Sequence, residues 1–205
     1  MNPRVLRRFI FLMAILTVGG FIFWDVVDDF VNRPPGDYYT EVGDLRLRDG
    51  LYDEALEAFD KALEEAPDHR GALMGRALVF IETQQYDSAI AELGSLIELL
   101  EARLEAEPDD TTGRGALAAA YANRGIVYDR LGQYQTALDD YISALKVDAG
   151  TLEGPDIFQK LLYAGDQVST VRDRARYLYE QLQLPEDQRL MTVPELDEQQ
   201  FMYKP

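Results

Sequence analysis

The sequence predicts an all-α protein, with antiparallel helix pairs stacked in a row behind one apolar N-terminal helix. Three observations carry this. A five-residue anchor recurs: Tyr52-Asp53-Glu54-Ala55-Leu56, Tyr86-Asp87-Ser88-Ala89-Ile90 and Tyr134-Gln135-Thr136-Ala137-Leu138. Gly50, Gly132 and Pro67 punctuate the segments around those anchors, as helix ends require. Sixteen residues from Phe9 to Trp24 carry no charge.

Residues 1–31 form the first element. At ~1.5 Å per residue, Phe9–Trp24 spans about 24 Å, and adding Asp25–Val27 brings it to roughly 28 Å, close to a hydrocarbon core of ~30 Å. Arg8 can snorkel at one end and Trp24 can sit at the other interface. A cleaved secretory signal is the competing reading, with Val18-Gly19-Gly20 as its small-residue site. The apolar run continues past that site through Phe21, Ile22, Phe23 and Trp24, which favours a retained anchor. Arg4, Arg7 and Arg8 precede the span and acidic residues follow it. That asymmetry predicts a single-pass protein of the inner (cell) membrane with a cytoplasmic N-terminus. The remaining body is then extracytoplasmic, in the periplasm if the cell is Gram-negative.

Residues 32–37, Asn-Arg-Pro-Pro-Gly-Asp, are a linker. Pro34 and Pro35 lack an amide hydrogen and clash with a preceding helical turn, so they stop the first helix. The body from 38 to 151 holds three helix pairs. The same slots fill around each anchor: Tyr39, Gly43, Ala55, Phe59, Ala62 and Pro67; Leu73, Ala77, Phe80, Ala89, Leu93 and Leu96; Tyr121, Gly125, Tyr128, Ala137, Tyr141 and Ala144. Small residues at Ala55, Ala89 and Ala137 let the two helix axes of a pair approach to roughly 8–10 Å. Aromatic residues fill the space between pairs. Each pair alone leaves an apolar face in water, so the pairs must stack.

The first two anchors are 34 residues apart. That spacing and those slots resemble the tetratricopeptide repeat family, in particular a membrane-anchored bacterial type. The resemblance implies a right-handed α-solenoid, a protein-binding role and no enzymatic activity. Arg46 where an aromatic is usual, Leu96 where a small residue is usual and Ala149 in place of the closing proline depart from the pattern. The second interval is 48 residues, a surplus of about four helical turns. The surplus lies in 97–119 and predicts that both flanking helices lengthen into a projecting hairpin. Such an insertion is either tolerated surface or a dedicated contact. Residues 152–184 predict a degenerate fourth pair capping the stack, with Val168, Val171, Ala175, Leu178 and Leu182 as its helical stripe. The tail 185–205 is too apolar for pure disorder, and either folds back on the body or docks on a partner.

From Asp25 onward, 17 basic residues face 37 acidic ones, a balance of −20. Such a body repels nucleic acid and anionic lipid. The absence of cysteine excludes disulfides and thiolate metal sites. His69 reads as a surface-loop residue and Asp109-Asp110 as a solvated turn. No arrangement of residues suggests catalysis, a metal or a cofactor.

The resemblance places a binding groove along the first helix of each pair. Its lining would be Thr40, Asp44, Leu47 and Arg48, then Met74, Leu78, Ile81 and Glu82, then Ala122, Ile126, Asp129 and Arg130. Leu78 and Ile126 are alternatively plain core. Chaperone-binding members of the family clamp a terminal carboxylate with Lys, Arg and Asn. Thr40, Asp44, Met74 and Leu78 stand in the comparable places here and do not suit that ligand. An apolar peptide segment with basic flanks does. The expected function is a membrane-anchored adaptor that holds or assembles a membrane protein complex. The alternative is a permanent structural subunit of one, with anchor and tail as fixed contacts.

Overall fold

The computed structural model describes residues 3–148, 170–192 and 202, without the side chains of 5, 6, 8, 9, 22 and 25–31. Among the described residues there are eight α-helices, one 3-10 helix and no strand. The helices are α1 (Pro3–Val31), α2 (Asp37–Arg48), α3 (Tyr52–Glu65), α4 (Arg70–Glu82), α5 (Tyr86–Ala106), α6 (Thr111–Arg130), α7 (Tyr134–Val147) and α8 (Val171–Leu182). The 3-10 turn is Glu186–Gln188. Of the expected capping pair, residues 152–169 lie outside the described ones, as do 193–201 and 203–205 of the tail.

The α1 helix runs through the uncharged stretch without a break, and its described apolar side chains, among them Phe11, Leu12, Leu16, Phe21 and Phe23, are exposed. Among the described residues, no helix is long and apolar enough to cross a membrane. The expected span also draws on Phe9 and Ile22, whose side chains are not described.

One turn geometry joins the two helices of each of the first three pairs. Gly50 has φ +73°; its N–H donates to the Leu47 carbonyl at 3.1 Å, and the Leu51 N–H to the Arg46 carbonyl at 2.9 Å. Gly132 repeats this with bonds to the Asp129 and Tyr128 carbonyls. These are the paired backbone bonds that close a helix through a left-handed residue. In the second pair the left-handed residue is Gln84, at φ 59°, with the same two bonds to Ile81 and Phe80. The starts of α4, α6 and α8 are capped by side chains: His69 accepts from the Ala72 N–H, Asp110 from Gly113 and Thr170 from Asp173.

Close approach between helices follows from glycine set against aromatic rings. A Cβ on Gly43 would lie 2.5 Å from the Phe59 ring, and one on Gly75 would collide with the same ring. Phe59 is fully buried, so α2, α3 and α4 are keyed together through it. Gly125 and Tyr141 repeat the arrangement in the third pair, at 2.7 Å. The α5 and α6 helices are 21 and 20 residues long, against 14 for α3 and 12 for α2. The added turns are at the C-terminal end of α5 and the N-terminal end of α6, and further along α6 Tyr121 donates to Glu101 of α5 at 2.6 Å. The α8 helix packs on α7, burying Val171, Ala175 and Leu178 against Ala137, Leu138 and Tyr141.

Candidate functional site

The first helices position the candidate residues, and the structure divides them. Asp44 and Leu47 line an open cleft of about 770 Å3 together with Glu41, Val42, Leu45, Arg48 and Leu78. Its walls are mostly apolar, with Glu41, Asp44 and Arg48 among the α2 residues that line it. Leu45 is 46% exposed on this face. This cleft brings four of the twelve expected lining residues, Asp44, Leu47, Arg48 and Leu78, to one place.

Of the other eight, Glu82 and Arg130 are exposed outside the cleft and six are enclosed. Thr40 is buried, with its hydroxyl 3.3 Å from the His69 Nδ1. Met74 is buried, and its sulfur accepts from the Asn123 side-chain amide at 3.4 Å. Ile81 packs in the cluster shared by α4, α5 and α6, and Ala122 and Ile126 pack in the cluster shared by α6, α7 and α8. Their expected exposure to a ligand is therefore corrected: side chains of neighbouring helices surround them. Leu78 belongs to both readings, buried in the core and forming the cleft floor. Asp129 is the largest correction. Its carboxylate is buried and accepts a forked pair of bonds from Arg174, Nε to Oδ2 at 2.7 Å and a terminal nitrogen to Oδ1 at 2.8 Å. The Tyr141 hydroxyl donates to it at 3.2 Å. Asp129 therefore holds the capping helix on the stack. Nothing in the spacing of Asp129 distinguished a partner 45 residues away from a ligand.

His69 is likewise not a free loop residue. Its Nε2 lies 2.7 Å from Asp37 Oδ1, and its Nδ1 accepts from the Ala72 backbone at 3.2 Å. With Nδ1 accepting, the proton sits on Nε2 and is donated to Asp37. The ring thus ties the start of α2 to the start of α4. Gly36 stands above it at φ +86°, and its N–H donates to Glu65 at 2.9 Å. A Cβ there would come within 2.9 Å of the Ala62 carbonyl. Arg33 adds a 3.2 Å ion pair to Glu41. The linker is thereby fastened to the first pair. Asp110 is a helix cap, and the Gly113 N–H it accepts is the leading reason its carboxyl is held below the ordinary range.

A second repeat is written in charge. Arg76 forks onto Glu92 at 3.0 Å and reaches Asp60 at 2.7 Å. Forty-eight residues on, Arg124 forks onto Asp140 at 2.8 Å and lies 5.5 Å over the Tyr121 ring. Both pairs join the two helices of one unit, and in the first unit the corresponding positions are the apolar Val42 and Ala58. Asp140 is buried in this contact. The Tyr121 hydroxyl is pushed up to about 12 by burial first, then by its bond to the Glu101 carboxylate. Among the described residues, no group of three or more histidines and carboxylates could hold a metal ion.

Family models for the tetratricopeptide repeat match residues 42–103 and 118–149. The first tetratricopeptide domain of Spaghetti (RPAP3), solved with the HSP90 peptide SRMEEVD, is 17% identical with a TM-score of 0.52, covering 73% of this chain and 94% of its own. The Arabidopsis OM64 tetratricopeptide domain is 16% identical with a TM-score of 0.48, covering 69% of this chain and 94% of its own. No curated protein matches the chain.

Proposed function

Given that the chain carries tetratricopeptide repeats at 42–103 and 118–149, we propose that it is a protein-binding adaptor held at a membrane surface. It takes an apolar peptide segment with basic flanks into the cleft between α2 and α4. The observation that carries this is the open cleft over Asp44, Leu47 and Leu78, with exposed Leu45 beside it and carboxylates at its rim. An apolar side chain entering there leaves water, and a Lys or Arg beside it meets Glu41 and Asp44. The α1 helix supplies the anchor in this reading: its exposed apolar residues suit lipid, and the fastened linker keeps the cleft near the bilayer. The assembly partner is then a membrane protein complex on the extracytoplasmic side.

The test uses the full chain in mild detergent and a fluorescent peptide with a Leu-Phe-Leu centre flanked by lysines. Leu45→Asp places a charge against the apolar segment and weakens binding at least about tenfold. Glu64→Ala, on the outer face of α3, leaves it unchanged. Equal affinities for the three proteins would overturn the cleft assignment. Flotation of the chain with liposomes, retained after an alkaline wash, tests the anchor separately.

A further inference from the structure

The surplus residues of α5 and α6 build something on the groove side. The 34- and 48-residue offsets between anchors carry the end of α3 at Glu65 to residue 99 and the start of α4 at Arg70 to residue 118. An α5 and an α6 of ordinary length would stop and begin there. Arg103, Thr112 and Ala116 all lie in the added turns. They form one wall of a cavity of about 450 Å3, whose other walls come from the start of α4 and from Asp37 at the start of α2. Without the added turns that wall is missing.

The cavity continues the line of the α2–α4 cleft. On α4, Arg70 and Met74 line the cavity and Leu78 floors the cleft. They stand at i, i+4 and i+8, one row along the helix. On α2, Asp37 lines the cavity and Glu41, Asp44 and Arg48 line the cleft, at a spacing that keeps all four on one face. At ~1.5 Å per residue, Arg70 and Leu78 are about 12 Å apart along α4. An extended peptide covers that distance with about four residues at ~3.3 Å each.

The cavity differs from the cleft in its donors. The Arg70 guanidinium spends one terminal nitrogen on Asp110, at a long 3.4 Å, and Arg103 spends one on Asp68. A guanidinium carries several N–H groups in a fixed fork, so both keep donors for a ligand. The carboxylates that line the cavity are already engaged: Asp68 by Arg103, and Asp37 by the His69 Nε2 at 2.7 Å. The Arg70 and Arg103 side chains are 38% and 44% exposed, so a ligand can reach them. Two arginines offset two aspartates among the lining residues, whereas the cleft carries two carboxylates to one arginine. An acidic group is therefore opposed less here than at the cleft.

We propose that this cavity is a second subsite of the groove, taking an acidic side chain that the partner segment carries about four residues from its apolar centre. The inference rests on the cleft reading above and adds a charge to the partner. The apolar centre and a basic flank lie over the cleft, and a glutamate points at Arg70 and Arg103. Its methylenes lie on Ala66, Met74 and Ala116, the apolar lining of the cavity. Its carboxylate accepts from the two guanidiniums, a charge-assisted contact. Neither arginine stands where chaperone-binding members of the family clamp a chain terminus: Arg70 is a turn before Met74, and Arg103 is on a second helix. The lengthened hairpin thus sets specificity by supplying Arg103.

The test uses full chains in mild detergent and peptides blocked at both ends. Each peptide has the Leu-Phe-Leu centre with flanking lysines, and either Glu or Gln about four residues from the Phe. One pair carries that residue on the N-terminal side and the other on the C-terminal side. In one of the pairs the Glu peptide should bind the parent at least about tenfold more tightly than its Gln twin. Arg103→Gln breaks a half-exposed ion pair, which costs the fold little. This variant should melt with the parent and bring the Glu-to-Gln ratio near unity. Equal binding of Glu and Gln peptides in both pairs would overturn the proposal, as would a Glu preference that survives Arg103→Gln combined with Arg70→Gln. A Gln peptide that gains as much from an unblocked C-terminal carboxylate would give the cavity to a chain end and overturn it too. The Gln peptides read the cleft alone. If they bind and respond to Leu45→Asp, a missing Glu preference refutes only the second subsite; if they do not bind, the cleft reading falls and the subsite with it.

Discussion

Removing Arg174 isolates a buried charge, and the structure gives the magnitude. The Arg174 and Asp129 side chains are 2% and 4% exposed, so water cannot replace the guanidinium in Arg174→Met. Asp129 then keeps the Tyr141 hydroxyl at 3.2 Å but loses its buried counter-charge. Breaking a buried pair from one side typically costs about 3–5 kcal/mol. At roughly 2–4 °C per kcal/mol for a chain of this size, the melting temperature falls by roughly 6–20 °C. Replacing both charges with apolar groups of similar size is often neutral or better. Arg174→Met with Asp129→Leu should therefore recover most of the loss, short of the ~1 kcal/mol that the lost Tyr141–Asp129 bond contributes. Thermal unfolding followed by circular dichroism on full chains in detergent provides the assay. A single variant that melts with the parent, or a double variant no better than the single, would refute the assignment of this pair as the clamp on α8.

Other consequences are measurable in the same format. Gln84→Gly relieves a left-handed L-residue at φ 59° and should stabilise the chain by about 1 kcal/mol, seen as a higher midpoint in urea. Gly75→Ala drives a methyl into the buried Phe59 ring and should destabilise by ~1–3 kcal/mol, with partial recovery in Gly75→Ala/Phe59→Leu. The Tyr121 phenol, held at about 12 in the fold, has an ordinary value near ~10 when unfolded. Its contribution to stability is thus complete below pH ~10 and lost as pH rises through the folded value. Glu101→Gln should shift that phenol downward in an ultraviolet titration; an unchanged curve would exclude the 2.6 Å bond.

The helix pairs were legible because their signals are local. Gly50 and Gly132 announce left-handed turns, and the small residues of the anchors mark where axes cross. Gln84 announces nothing, since no side-chain feature separates a glutamine forced into that geometry by its neighbours from one in a loop. The 48-residue interval has its counterpart in α5 and α6, because helix length is additive along the chain. Site residues were harder. Asp44 and Leu47 reach solvent because α2 is the outermost first helix, whereas Ile81, Ala122 and Ile126 hold equivalent registers on helices with neighbours all round. Sequence periodicity gives the register and not what stands opposite it. His69 and Asp129 were misread for a related reason: each gains its role from a partner dozens of residues away. The Arg76–Glu92 and Arg124–Asp140 pairs could have been found, since both members repeat at the same 48-residue offset as the anchors.

Hydrogen exchange of the full chain, with and without saturating lysine-flanked peptide, tests the central claim most directly. Added protection in 37–48 and 70–82, where the cleft helices lie, is the predicted result. The α5–α6 hairpin is the competing surface. Protection gained only in 100–115, with the cleft helices unchanged, would contradict the account.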